Sequence, residues 1–391
     1  MSGSERCNPK STQAKIGIAF LGCGYVADLY QQTFVNHADT LFLCGVWDQD
    51  PERLEKFAGF YNLERYHGFE EILDDPQVEI VVNLTNPHAH FETSKRILHA
   101  GKHVYSEKPL AMEIGQAREL VRLANEQGLQ IVSAPSSVLG PAALRLRQAV
   151  RDKELGTPRL VYAEIDEGMI HRLGYESWLS KSGALWPARD EFSTGCTVEH
   201  AGYMLTWLVA MFGAVTEVVS MSHLCLPDKG EDTPETYKTA DFSCALLRFE
   251  AGVVARLTNS IIAPHDHRLR IFCDEGELCA QEVWDFHTAV EAYPLALRKF
   301  QKRVEKYLGR RWKRRLSVTK KKTTVFASGG HPMDFMRGVN NMALALRDAR
   351  STRLGGEFSL HITEVTLAIQ FPETYGTPYV PQSSPSPIDL V

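Results

Sequence analysis

The residues best suited to chemistry sit at the ends of apolar runs. Glu107-Lys108-Pro109 terminates the strand-like run His103-Val104-Tyr105, about eighty residues after a glycine-rich turn near the start of the chain. A lysine at such a strand end can reach into a cofactor cleft and place an ammonium there. The turn is Gly22-Cys23-Gly24-Tyr25-Val26-Ala27, which follows the apolar run Ile16 to Leu21 and precedes a helical pattern through Tyr30 and Phe34. Gly22 allows the tight turn, Gly24 lets backbone approach a pyrophosphate, and Ala27, in place of a third glycine, still permits close helix–strand packing. The helix N-terminus then offers free N–H groups and partial positive charge to the phosphates. A second apolar run, Leu41 to Trp47, ends at Asp48, at the distance where an acidic residue takes the ribose hydroxyls. Asp48 would repel a 2′-phosphate and no arginine follows it directly, so NAD is favoured over NADP. Asp50, before Pro51, is either an alternative ribose ligand or a turn residue.

The elements that must position these residues alternate in type. Val78 to Leu84, the run from His103 and Leu129 to Ser133 read as buried strands, separated by helices through Leu98 and from Ile114 to Gln127. Alternating β and α units imply a parallel, doubly wound sheet, the Rossmann arrangement, over residues 15–133. After residue 157 the rhythm changes to consecutive strand-like runs: Arg159–Ile165, Val215–His223, Thr239–Phe249, Gly252–Ile262, Arg268–Asp274 and Glu277–Val283. Short links between them predict a large, open, mainly antiparallel sheet in an α+β unit over 134–391. Helical patterns at Pro141–Lys153, Val198–Phe212 and Pro332–Ala349, the last within a helical tail over 332–370, would cover one face of that sheet.

A chain of 391 residues exceeds one usual core, and 44% apolar content can fill two. Eight cysteines are scattered without a C-x-x-C pair or histidines at ligand spacing, which predicts reduced structural cysteines in a cytoplasmic protein and no metal site. The N-terminus lacks the apolar core of a signal peptide, and residues 1–14 read as a disordered tail.

Together these segments resemble the oxidoreductase family typified by glucose–fructose oxidoreductase, inositol dehydrogenase and the rhizopine catabolism protein. The likeness runs from Ile16 to about Gln370 and rests on the glycine turn, Thr85 with His90, Ala100-Gly101-Lys102-His103-Val104 running into Glu107-Lys108-Pro109, and Leu155-Gly156. It implies a Rossmann unit joined to an open-sheet unit, with nicotinamide and substrate between them. On the nucleotide side it brings Gly22, Gly24, Tyr25, Val26, Asp48, Thr85, Asn86, His90, Glu107 and Lys108 to the cofactor. It also implies that Lys108 assists proton transfer and that its proline bond is often cis. The family's second signature falls on Gly195-Cys196-Thr197-Val198-Glu199-His200-Ala201-Gly202-Tyr203, where Glu199 takes the usual aspartate position and Tyr203 that of the catalytic histidine. A tyrosine there resembles glucose–fructose oxidoreductase and dimeric dihydrodiol dehydrogenase, relatives that use NADP. A Trp/Arg-bearing loop before Gly195 would place Trp186 and Arg189, with Glu199, at the substrate. The segment Ala134 to Gly140 departs from the family's Arg- and aromatic-bearing pattern, which leaves the sugar unspecified.

Removing hydride from a secondary alcohol requires its hydroxyl proton to be taken as the C–H bond breaks, and a positioned acid–base group contributes ~10²–10⁴-fold. Tyrosine, with a reference pKa of ~10, needs help to do this near neutrality. A Lys108 ammonium would favour the phenolate while burial would resist it, so Tyr203 is expected to have Lys108 as its electrostatic partner. On a helix Tyr203 shares a face with Glu199, and His200, three residues before it, converges as the alternative acid–base. The expected activity is NAD(P)-dependent hydride transfer at a ring carbon of a sugar, cyclitol or sugar nucleotide by a homo-oligomer. A redox-neutral enzyme that retains its NAD, and a non-catalytic NAD-binding regulator, are the alternatives.

One segment stands apart. Within a basic insertion at 295–322, the stretch from Arg298 to Lys322 holds thirteen lysines and arginines against Glu305 alone, a local charge of +12 in a chain of net charge −5, which leaves −17 elsewhere. Leu297, Phe300, Val304, Tyr307 and Leu308 fall at helical spacing. A basic amphipathic helix of this kind suits an anionic membrane surface or a polyanionic substrate. No recognised nucleic-acid module accompanies it.

Overall fold

In the computed structural model, residues 14–230, 233, 237–309, 311–318, 332–386 and 388 are described. Almost all of the expected N-terminal tail, residues 1–13, and residues 310 and 319–331, which include the last three lysines of the basic segment, lie outside them.

The first half alternates as expected: β1 (Ile16–Leu21), α1 (Tyr25–Phe34), β2 (Leu41–Trp47), α2 (Pro51–Tyr61), α3 (Phe69–Asp74), β3 (Ile80–Asn83), α4 (His90–His99), β4 (His103–Ser106), α5 (Ile114–Glu126) and β5 (Ile131–Ser133). The strands pair in parallel in the order β2-β1-β3-β4-β5. Every residue of β1 and β3 is buried, the pattern of central parallel strands covered on both faces. The order reverses between β1 and β3, so a crevice opens at their carboxyl ends, where ligands bind in such sheets.

The second half begins with α6 (Pro141–Arg151) and β6 (Pro158–Asp166), followed by α7 (Ala188–Thr194), α8 (Cys196–Phe212), β7 (Val215–His223), β8 (Phe242–Phe249) and β9 (Val254–Ser260). It continues with β10 (Leu269–Cys273), β11 (Gly276–Ala280), β12 (Val290–Pro294), α9 (Lys299–Leu308), β13 (Arg314–Leu316), α10 (Arg337–Arg347), α11 (Gly356–Gln370) and α12 (Pro372–Tyr375). Eight strands form one sheet in the order β13-β12-β11-β10-β6-β9-β8-β7. All neighbours are antiparallel except β6 and β9. Two strands escaped the sequence reading, β12 because it follows a turn-rich stretch and β13 because its arginines mask a strand pattern.

The two sheets share one continuous apolar core, which runs from Phe20 and Val82 through Val138 and Phe358 to Leu205, Leu257 and Ile271. α11 binds the halves: it packs on α5 and β5 on one side and on α8 and β7 on the other. Several buried polar groups of α11 are paired. Ser359 Oγ accepts from the Ser133 N–H at 2.9 Å, Gln370 accepts from the Val198 N–H at 2.9 Å, and Glu364 accepts from Arg118, Tyr379 and Ser383. On the other sheet face Val219, Met221 and Leu246 remain exposed.

The basic segment is less free than its composition implies. α9 forms, but none of its residues is buried, and Phe300, Tyr307 and Leu308 are exposed. Beyond it the chain folds back as β13, and Arg311, Lys313 and Arg314 pair with Glu277, Glu291 and Glu154 at 2.6, 2.6 and 3.0 Å. Part of the +12 is therefore balanced by the chain's own sheet.

His361 of α11 is buried and accepts the Val215 N–H at 2.9 Å through Nε2. Burial pushes its imidazole down to about 4, against the pull of Glu364. The unfolded chain takes up this proton near ~6.5 and the folded chain does not, so stability falls as pH drops from 6.5 towards 4, by roughly 3 kcal/mol in all. Chemical unfolding across that range should show this slope, and His361→Gln should flatten it.

Candidate active site

A cleft of about 1340 Å³ opens at the carboxyl ends of β1 and β3 and is closed on its far side by the second sheet and the loop at 177–187. On the nucleotide side Gly22 has φ +105°, and a Cβ there would stand 2.6 Å from the Leu84 carbonyl oxygen. Gly24 differs, for a Cβ there would meet no protein atom within 4 Å and would project into the cleft. It sits at the N-cap of α1, where no side chain caps the helix, so the first backbone N–H groups are available to a phosphate. Tyr25, Val26, Thr85 and Asn86 line the same region. These features fit a dinucleotide.

Asp48 is buried, and its carboxylate accepts the Cys23 and Asp50 N–H groups, each at 2.8 Å. Each oxygen keeps a lone pair for a ribose hydroxyl. Asp50, the alternative, is the N-cap of α2 and accepts from the Glu52 and Arg53 N–H groups. No arginine follows Asp48 directly in the sequence, but the first turn of α2 brings Arg53 Nη1 to 3.5 Å from its carboxylate.

His90 lines the cleft but has no ring nitrogen left over: Nδ1 lies 2.7 Å from the Pro109 carbonyl and Nε2 3.0 Å from that of Thr85. It pins the Lys108 turn to the Thr85 loop. Glu107 likewise accepts from the Tyr30 hydroxyl at 2.7 Å, and the Lys108–Pro109 peptide is cis.

Lys108 extends into the cleft and forms an ion pair with Glu199 of α8. Burial opposes its charge, but Glu199 and Glu191 outweigh that cost, and the ammonium is held above its usual range. Burial and the neighbouring Glu191 push the Glu199 carboxyl above its usual range, with Lys108 pulling the other way. Tyr203, one turn further along α8, reaches the same cleft and packs on Trp284 with ring centroids 4.9 Å apart. Burial and the Glu107 charge raise its pKa, and Lys108 only partly offsets them. Lys108 thus acts on Tyr203 in the expected direction, but its ion-pair partner is Glu199, and burial with Glu107 keeps the Tyr203 hydroxyl a phenol. His200 faces Glu191 at 3.0 Å; burial resists its charge, but Glu167 and Glu191 raise its pKa.

Trp186 lines the cleft within an aromatic cluster, 5.2 Å from Trp178 and 5.7 Å from Tyr175. Arg189 does not: it opens α7 exposed to solvent, while Asp190 and Glu191 from the same turn line the cleft. The sequence reading also missed Glu167, His265, His267, Glu282 and Trp284, which complete the far wall. Burial resists the charge of His267, yet Glu167 and Glu282 push it up to about 9. Glu167, His265 and His267 could also serve as metal ligands, with donor atoms within 4.8 Å of one another. The one sequence signal was His265-x-His267, two imidazoles on one face of an extended segment.

Residues 16–134 match an oxidoreductase family with an NAD-binding Rossmann fold, and residues 143–279 match the GFO/IDH/MocA C-terminal domain. The chain belongs to the GFO/IDH/MocA oxidoreductase family. Among its relatives are a trans-1,2-dihydrobenzene-1,2-diol dehydrogenase of Mus musculus, 26% identical over 60% of this chain and 65% of the relative, and a D-xylose 1-dehydrogenase (NADP(+)) of Hypocrea jecorina, 27% identical over 40% of each. The chain spans between about two fifths and two thirds of the length of the curated relatives named first. An NAD binding oxidoreductase of Klebsiella pneumoniae shares the fold at a TM-score of 0.73 and 21% identity, covering 91% of this chain and 96% of that one.

The two glycines make separable predictions. Gly22→Ala should lose more than ~1 kcal/mol of stability in chemical unfolding, because both its φ and its neighbour forbid a Cβ. Gly24→Ala should unfold like the parent yet bind NAD about tenfold or more weakly in fluorescence titration, a loss of at least ~1.4 kcal/mol.

Proposed function

We propose that this protein transfers hydride between nicotinamide and a ring carbon of a sugar, cyclitol or sugar nucleotide. The observation that carries this reading is the convergence of Lys108 and Tyr203, from different halves of the fold, on the cleft lined by Gly24 and Asp48. A bound nicotinamide supplies the hydride acceptor or donor. The chain's own residues handle the proton. In alcohol oxidation the hydroxyl proton leaves through Lys108 towards ionised Glu199 as the carbonyl forms, and Tyr203 orients the substrate oxygen. In reduction the Lys108 ammonium gives its proton to the developing alkoxide and regains one from protonated Glu199, while the Tyr203 phenol donates a hydrogen bond to the same oxygen. Trp178, Trp186 and Trp284 offer apolar faces to a ring, while His200 and Glu191 offer hydrogen bonds to hydroxyls. The names of the diol and xylose relatives favour a substrate with ring hydroxyls.

A screen of sugars, cyclitols and sugar nucleotides for NADH formation tests the activity. On the substrate so found, Lys108→Ala and Tyr203→Phe should each lower kcat by ~10²-fold or more with little change in NAD affinity. Near-parental turnover in both would sink the assignment.

Asp48 favours NAD over NADP, because its buried carboxylate would lie against a 2′-phosphate. We expect kcat/KM to be at least ~10-fold higher with NAD, a difference of ~1.4 kcal/mol, and Asp48→Ser to narrow the gap. A parent that prefers NADP would instead assign the 2′-phosphate to Arg53.

A further inference from the structure

The far wall of the cleft carries a group of side chains that the proton transfers above do not use. β10 pairs with β6 through Leu269 and Ala163, and with β11 through Leu269 and Ala280. Continuing those antiparallel registers past the strand ends sets His265 opposite Glu167 and His267 opposite Glu282, and the mutual backbone hydrogen bonds of Asp166 and Asp266 show that the pairing extends that far. His265 and His267, two apart in extended chain, present their rings on one side with centroids 4.1 Å apart.

Glu282 spans both rings: one carboxylate oxygen lies 2.8 Å from His267 Nδ1 and the other 3.0 Å from His265 Nε2. This fixes which edge each imidazole turns away from Glu282. His267 is 1% exposed, and its Nε2 stands 3.1 Å from Glu167 Oε1 as an ion pair without the alignment of a hydrogen bond, so both atoms keep a lone-pair direction that no protein donor fills. One donor atom from each of Glu167, His265 and His267 lies within 4.8 Å of the others.

We propose that Glu167, His265 and His267 bind one divalent transition-metal ion of the Zn²⁺ class, with Glu282 as the outer carboxylate that orients both imidazoles. Two imidazoles and a carboxylate are a donor set such ions prefer, and three protein ligands leave positions open for a ligand from the cleft. A carboxylate on the far nitrogen of a histidine ligand fixes its tautomer and raises its basicity. Ligand bonds of ~2.0–2.2 Å require the three donors to draw together by about 1 Å, a movement within side-chain reach. The open positions face the cleft that holds Lys108 and Tyr203, so vicinal hydroxyls or a carboxylate of the substrate would complete the coordination.

Metal binding is measurable without turnover, which keeps it separate from the hydride-transfer reading. The full chain, stripped with a chelator and returned to metal-free buffer, is titrated with ZnCl₂ by calorimetry and with Co²⁺ by visible absorption. We expect one ion per chain, a micromolar or tighter Kd and a d–d band from Co²⁺. His265→Ala, at a side chain 55% exposed, tests the site without threatening the fold, and His267→Ala tests its buried member; each should weaken Zn²⁺ at least tenfold. Glu282→Gln should weaken it ~10–100-fold. Cys225→Ser, at an exposed cysteine elsewhere, should change nothing. Absence of saturable Zn²⁺ binding, or binding retained in both histidine variants, would overturn the proposal.

Discussion

The ion pair between Lys108 and Glu199 holds the site together, because it joins the end of a parallel strand in one half of the molecule to a helix in the other. Glu199 is buried and Lys108 is largely withdrawn from solvent, and a charge removed from water is tolerated only when its partner is in place. Their surroundings serve that requirement. His90 holds the turn that carries Lys108, Tyr30 holds Glu107 beside it, and α11 seats α8 against the sheet. Removing one partner would leave an uncompensated charge in the cleft, a defect of roughly 3–5 kcal/mol in comparable buried pairs.

Further ties across the halves suggest why the cleft keeps its shape. Asp28 of α1 accepts from the Ser182 N–H at 3.0 Å and from the Ser182 hydroxyl at 2.6 Å, which anchors the loop at 177–187 over the nucleotide side. His37 meets Asp334 at 3.0 Å near the start of α10. These links are polar and largely buried, and they supplement the apolar core that the two halves share.

Charge is distributed by the same logic of pairing. The basic stretch after β12 reads in sequence as a free cationic surface, yet Arg311, Lys313 and Arg314 meet acids of β11, β12 and the loop after α6. Exposed pairs of this kind contribute little each, but together they lay β13 along the sheet edge and cover it. Among the described residues, α9 keeps Phe300, Tyr307 and Leu308 exposed.

Much of this was legible in the chain itself. The parallel strands are runs of buried apolar residues with periods no helix shares, and the glycine turn is required by a positive φ at Gly22 and an open approach at Gly24. Lys108, Glu199, His200 and Tyr203 could be named because the family's two signatures fall on them, and Trp186 because the resemblance implies a Trp/Arg-bearing loop there. Arg189 could not be placed, since a loop residue's direction depends on a turn that local sequence leaves open. The ion pair of Lys108 was equally hidden: spacing puts Glu199 and Tyr203 on one face, but only the assembled fold sets the Glu199 carboxylate against the Lys108 ammonium. Glu167, His265, His267 and Glu282 are brought together by strand register, a long-range property with no local trace. The sequence by itself determined the elements and the chemistry available at their ends, because these depend on periodicity and backbone freedom. The tertiary structure alone decided which charges meet, because Coulomb energy and metal-ligand geometry depend on distances that only the assembled sheets define.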